Sequence, residues 1–147
     1  MRTMRVLTAF FFSYSLLTSM SAHAASPQNE RTIREQCSDA SEAGMHDCLE
    51  KKARESETAL KDAERKTNDA LGKWDEDAKY VSSAKTKLQL SNKAFERYRE
   101  AQCAVSASLG GGAIGHASDM RRLACLTELN DRRAEQLRAA FSDLPMR

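Results

Sequence analysis

Four cysteines, Cys37, Cys48, Cys103 and Cys125, are the residues of this 147-residue chain whose side chains offer the most chemistry. A thiolate can bind metal, cycle between redox states or close a disulfide. No two of the four form a Cys-x-x-Cys pair, and no histidine cluster accompanies them. A zinc site and thioredoxin-like redox chemistry therefore lack their usual ligands, and metal carriage would further require free thiols. Disulfides remain, with three possible connectivities. Cys37 and Cys48 are eleven residues apart. On one unbroken helix that is about 16 Å, whereas a disulfide needs Cα atoms within about 7 Å. A direct bond requires the chain to fold back, and Ser38, Asp39, Ser41 and Gly44 suit such a bend.

The remaining reactive side chains do not assemble a catalytic set. His46 and His116 have no nucleophile and orienting partner at recognisable spacing, so no enzyme and no cofactor is expected. The segment SASLGGGAIGH, residues 106–116, lacks the Lys-Ser/Thr ending of a phosphate-binding loop and no strand precedes it. It reads as a helix–helix connection, or as a loop that enters a partner with His116 near its end. Asp39, Glu42, His46 and Asp47 form an acidic patch beside Cys48. Acids at a helix N-terminus satisfy the helix dipole; they would also steer a cationic partner. Asp39, Glu42, His46, Asp47 and His116 are thus the candidate partner-binding residues.

The compartment is read from the first residues, MRTMRVLTAFFFSYSLLTSMSAHAAS. Arg2 and Arg5 precede an apolar run from Val6 to Met20, and Ala22-His23-Ala24 is a small-x-small cleavage site. This is the layout of a signal peptide, residues 1–24, cut after Ala24, with a periplasmic or secreted product. The apolar run is shorter than the roughly 20 residues of a spanning helix, and no membrane span is expected in the mature chain. An oxidising destination turns four cysteines into two disulfides. The leader also carries the formal charge of +2, so the mature chain is neutral. Net charge gives no reason to expect nucleic acid or anionic lipid as a partner, and the sequence sets no oligomeric state.

Residues 25–40 read as a poorly ordered lead-in, and residues 41–142 as one helical domain. Ser41 suits an N-cap. Beyond it Met45, Leu49, Ala53, Leu60, Ala63, Ala70, Leu71, Trp74 and Ala78 recur at helical spacing. Glu50/Arg54, Glu57/Lys61, Asp62/Lys66, Asp69/Lys73 and Asp75/Lys79 place an acid four residues before a base, each supporting a helix by about 0.2–0.5 kcal/mol. A second stripe runs Val81, Ala84, Leu88, Phe95, Tyr98, Gln102, Val105 and Leu109. A hairpin bend near 76–84 is expected between the two, because thin stripes bury best against a neighbour. The glycines stop the helix before a last one, about 118–141, with Leu123, Leu126, Leu129, Ala134 and Leu137 as its stripe and Pro145 in a ragged C-terminus. The fold class is all-α, a bundle of three to four helices stapled by two disulfides. If 82–107 and 118–141 form an antiparallel hairpin, Cys103 lies about one turn from Cys125. That favours Cys103–Cys125 and leaves Cys37–Cys48.

LQLSNKAFERYREAQC followed by GGGAIGHASDMRRLACLTELNDRRAEQL resembles the lysozyme inhibitor LprI-like family over about residues 37–137. The matching positions are the four cysteines with Leu60, Leu88, Phe95, Arg99, Gly111, Gly112, Arg133 and Leu137. Lys61, Glu64, Asn92 and Phe95 depart from the family's usual Asn, Tyr, Gln and Trp. The resemblance implies a helical, disulfide-stapled envelope protein, and it raises lysozyme or a related glycan hydrolase as the partner, inhibited by occluding its cleft. A cleft lined by carboxylates could be met by a histidine or a backbone donor. The alternative is a non-inhibitory envelope module with another partner. Arg99 and Arg133 read as structural arginines, stems packed and guanidinium groups paired with a carboxylate or helix-end carbonyls; a partner contact is the alternative.

Overall fold

The computed structural model describes residues 28–38, 41–112 and 116–147. The leader expected at 1–24 lies outside the described residues. Four helices are present among the described residues: α1 (Glu30–Glu35), α2 (Glu42–Gly72), α3 (Ala78–Ser108) and α4 (Ala117–Phe141). Among the described residues there is no strand, only an isolated bridge between Trp74 and Met146, and the class is all-α. No described helix is long and apolar enough to cross a membrane.

The start of α2 follows from its sequence. Ser41 Oγ accepts a hydrogen bond from the Gly44 N–H at 3.3 Å, satisfying one of the free donors of the first turn. Leu49, Ser56, Leu60, Ala63, Thr67 and Leu71 then recur on one face and are buried. The outer face carries the expected pairs Glu50–Arg54, Glu57–Lys61 and Asp62–Lys66 at 2.7–2.8 Å. The last two expected pairs do not form. Asp69 turns back to Arg65, and Asp75 pairs with Arg147, because the helix ends between them.

That end is earlier than expected. The bend occupies residues 73–77 rather than 76–84, and Ser82 and Ser83 lie inside α3. The C-terminal tail seals it. Asp75 N–H donates to Pro145 C=O at 2.9 Å, and Arg147 N–H to Lys73 C=O at 2.9 Å. The tail is therefore bound to the bend rather than ragged. At the other terminus, the stretch expected as a poorly ordered lead-in contains α1. Asn29 caps it, accepting from Thr32 N–H. Ile33 is buried, and Glu128 Oε2 accepts the Glu30 N–H at 2.7 Å.

Helix α4 is central and packs against the other three. The core falls into two apolar clusters. One joins Leu60, Ala63, Leu71, Leu88, Ala134 and Leu137, with Trp74 and Phe95 against it. The other joins Ile33, Cys37, Leu49, Leu123 and Ala124. Between them lies a polar layer: Arg99 Nη1 donates to Asn130 Oδ1 at 3.0 Å, and Asn130 Nδ2 donates to Ser56 Oγ at 3.1 Å.

Both disulfides form with the expected pairing, Cys37–Cys48 and Cys103–Cys125. The fold-back that the first requires is the break between α1 and α2. The expected α3 stripe is only half right in phase. Leu88 is buried and Phe95 half-buried, but the inward line then passes to Arg99, Cys103 and Ser106, leaving Tyr98, Gln102, Val105 and Leu109 on the solvent side. The glycine turn also has a tighter requirement than the motif residues Gly111 and Gly112 suggest. Gly111 has φ +61°, which suits glycine. Gly110 is the crowded one: a Cβ there would meet the Ser118 backbone at 2.9 Å. Gly110→Ala is expected to cost on the order of 1–3 kcal/mol by forcing the α3–α4 connection apart, read as a lowered denaturation midpoint.

Candidate partner-binding end of the bundle

The first turns of α2 and α4 meet at the end of the bundle that carries the Cys37–Cys48 clasp and the glycine loop. Glu42 Oε1 accepts the His116 N–H at 3.0 Å. His46 Nε2 lies 2.6 Å from Asp119 Oδ2, and the two histidine rings are 4.8 Å apart, tilted by 48°. Asp47 projects into solvent with its carboxylate 3.9 Å from His46 Nδ1. Beneath these groups Met45 and Met120 pack on the second apolar cluster, so the polar rim stands on a fixed base.

Four of the five candidate residues, Glu42, His46, Asp47 and His116, are thus neighbours although 74 positions separate Glu42 from His116. Asp39 lies outside the described residues. Asp119 was missed by sequence reasoning. Its signal was present: it is the acid of the first turn of α4, where the helix dipole favours one. Glu50 also reaches the site. His46, Asp47 and Glu50 are the one group, among the described residues, whose ligand atoms lie within 4.8 Å of one another and could share a cation.

The bond to Asp119 holds the His46 pKa above its usual value, with Glu50 and Asp47 adding attraction and partial burial opposing it. A raised folded-state pKa favours the protonated ring, so this contribution is complete below the unfolded value near 6.5 and fades as pH rises through the raised one. Thermal melts of the wild type are expected to show that decline, and His46→Gln to flatten it; identical pH profiles would contradict the pairing.

Both arginines make contacts within the bundle. Arg99 serves the polar layer, donating to the Asn130 amide, and also pairs with the Glu100 carboxylate at 3.4 Å. Arg133 donates to Ser91 Oγ at 2.8 Å and Asn92 Oδ1 at 3.0 Å and lies over the Phe95 ring. Its partners are therefore neutral side chains. Leu60, Leu88 and Leu137 are buried in the first cluster with Phe95 packed on it. A groove of about 330 Å³ between α2, α3 and α4 is lined by charges of both signs, Glu50, Arg54, Glu57, Arg99, Glu100 and Arg122.

The described residues form a small all-α bundle with two disulfides and with hydrogen-bonding side chains gathered at one tip. The family model described as lysozyme inhibitor LprI matches residues 34–137, and the chain belongs to that family. No curated protein and no solved structure gives a significant match.

Proposed function

We infer that this protein is an exported inhibitor of lysozyme or a related glycan hydrolase, and that the clasp-and-loop end occludes the enzyme's cleft. The observation that carries the reading is the convergence of Glu42, His46, Asp47, His116 and Asp119, in a chain of a lysozyme inhibitor family. Carboxylates on this rim attract a cationic hydrolase. A protonated His46 supplies a donor for the carboxylates that such a cleft uses in glycoside cleavage. Export, with removal of residues 1–24 after Ala24, places the protein where cell-wall hydrolases act and its thiols oxidise.

The disulfide-bonded protein at micromolar concentration is expected to slow lysis of cell walls by c-type lysozyme and to co-elute with it on a sizing column. His46→Ala/Asp119→Ala is expected to weaken inhibition by tenfold or more, while its helical content stays at the wild-type level. Unslowed lysis with no complex overturns the reading. The formal neutrality of the mature chain favours a second reading, a non-inhibitory envelope module. Recovery of a stable partner other than a lysozyme from envelope extract would support that one.

A further inference from the structure

Helix α3 has an unusual balance for a helix in a bundle. Only three of its 31 residues are buried, Leu88, Cys103 and Ser106. Its opposite side is not the charged surface that such a helix ordinarily shows to water. Leu90 is 62 % exposed, Tyr98 54 %, Val105 56 % and Leu109 66 %. With exposed Ala94 and Ala101 between them, they step by three or four residues and fall on one stripe. From Leu90 to Leu109 the stripe runs about 28 Å at 1.5 Å per residue. Tyr80, 50 % exposed, extends it toward the bend.

The charge on this helix is equally uneven. Residues 78–108 hold six basic side chains against two acidic ones. On α2 the bases are mostly tied to carboxylates of the same helix. Among the described residues, Lys79, Lys87, Lys93 and Arg97 make no ion pair; Lys79 sits 4.7 Å over the Tyr80 ring. Helical phase puts Lys87 within the apolar stripe and Lys79, Lys93 and Arg97 along one border of it. The neutral total of the mature chain therefore conceals a basic, apolar flank on a body whose clasp end is acidic.

We propose that this flank of α3 docks the protein onto an anionic lipid surface, the helix lying flat with Leu90, Tyr98, Val105 and Leu109 entering the headgroup boundary. An apolar face bordered by unpaired cations is the pattern of interfacial helices, and each basic residue near an anionic leaflet adds attraction. The same pattern disfavours a second copy of the chain. An antiparallel pair would set the Lys93/Arg97 border against itself, and a parallel in-register pair would oppose Lys87 to Lys87. It also disfavours a cationic hydrolase, which leaves the clasp end free to engage one.

Sedimentation with phosphatidylglycerol vesicles and with phosphatidylcholine vesicles tests this on the purified, disulfide-bonded protein. The expected result is binding to the anionic vesicles, at least tenfold weaker to the neutral ones. Leu90→Ser/Val105→Ser and Lys87→Glu/Lys93→Glu/Arg97→Glu are each expected to weaken it by roughly tenfold or more. These positions are exposed, and unchanged melting curves confirm that each variant folds. Absence of binding to anionic vesicles overturns the proposal. Binding that survives the serine substitutions overturns it too, since that is adsorption by charge alone. A dimer in sedimentation velocity, lost in the serine variant and accompanied by no vesicle binding, assigns the flank to a second copy instead. Lysis inhibition retained by both variants keeps this result separate from the function of the clasp end.

Discussion

Cys103→Ser/Cys125→Ser is expected to lower unfolding stability by about 3 kcal/mol, the magnitude for a crosslink closing a loop of some twenty residues. The bond joins residues 22 apart across the glycine turn. Its weight comes from what else holds α3 in place. Beyond Arg99 the buried residues of that helix are Cys103 itself and Ser106. Ser106 Oγ donates to Glu30 Oε2 at 2.5 Å, so its partner belongs to the short α1 and depends on the Cys37–Cys48 clasp. The C-terminal third of α3 thus has a covalent tie and scattered polar contacts, among them Arg122 to Glu100 at 2.9 Å and Ser118 Oγ to Ala107 C=O at 3.0 Å, where other helices have an apolar seam. Urea denaturation should show the lowered midpoint, and amide exchange should rise first in residues 100–108. A midpoint unchanged by the double substitution would mean that packing alone secures this helix.

The same thin packing explains where the sequence was readable. Ser41 as N-cap, the glycine stop and the disulfide pairing were legible because each rests on local chemistry or on hairpin geometry. The α3 seam was misphased because Tyr98, Val105 and Leu109 are apolar and spaced like a core, while the true inward positions, Arg99, Cys103 and Ser106, are polar or bonded. Hydrophobic periodicity follows whichever stripe is more apolar, and here that is the outer one. The α1 helix was missed because six residues with a single buried Ile33 carry no period. Their order comes from Glu128 and Ser106, which are 98 and 76 positions away from Glu30. At the clasp end, the acids and His46 were visible as a local run. Their meeting with His116 and Asp119 is a consequence of the α2–α4 packing and has no local signature.

Asn130→Ala is expected to destabilise the fold by about 2–4 kcal/mol, because it strands a largely buried charge. Asn130 is 2 % exposed and bridges Arg99 to Ser56. Ser56 keeps a second bond, to Ala53 C=O at 2.8 Å. Arg99 fares worse: its Nε is already buried without a partner, and its remaining contact is to Glu100 at 3.4 Å. The layer sits between the two apolar clusters, and an alanine at 130 offers the Nη1 of Arg99 no acceptor in place of the amide. Removing both ends should therefore hurt less than removing one. Arg99→Met/Asn130→Leu is expected to recover most of the loss, joining the clusters through apolar contact as replaced buried ionic groups do elsewhere. A double-mutant cycle measures the coupling directly. Additive single effects would show that Arg99 and Asn130 act independently, and would assign the guanidinium to the solvent-facing groove rather than to the core.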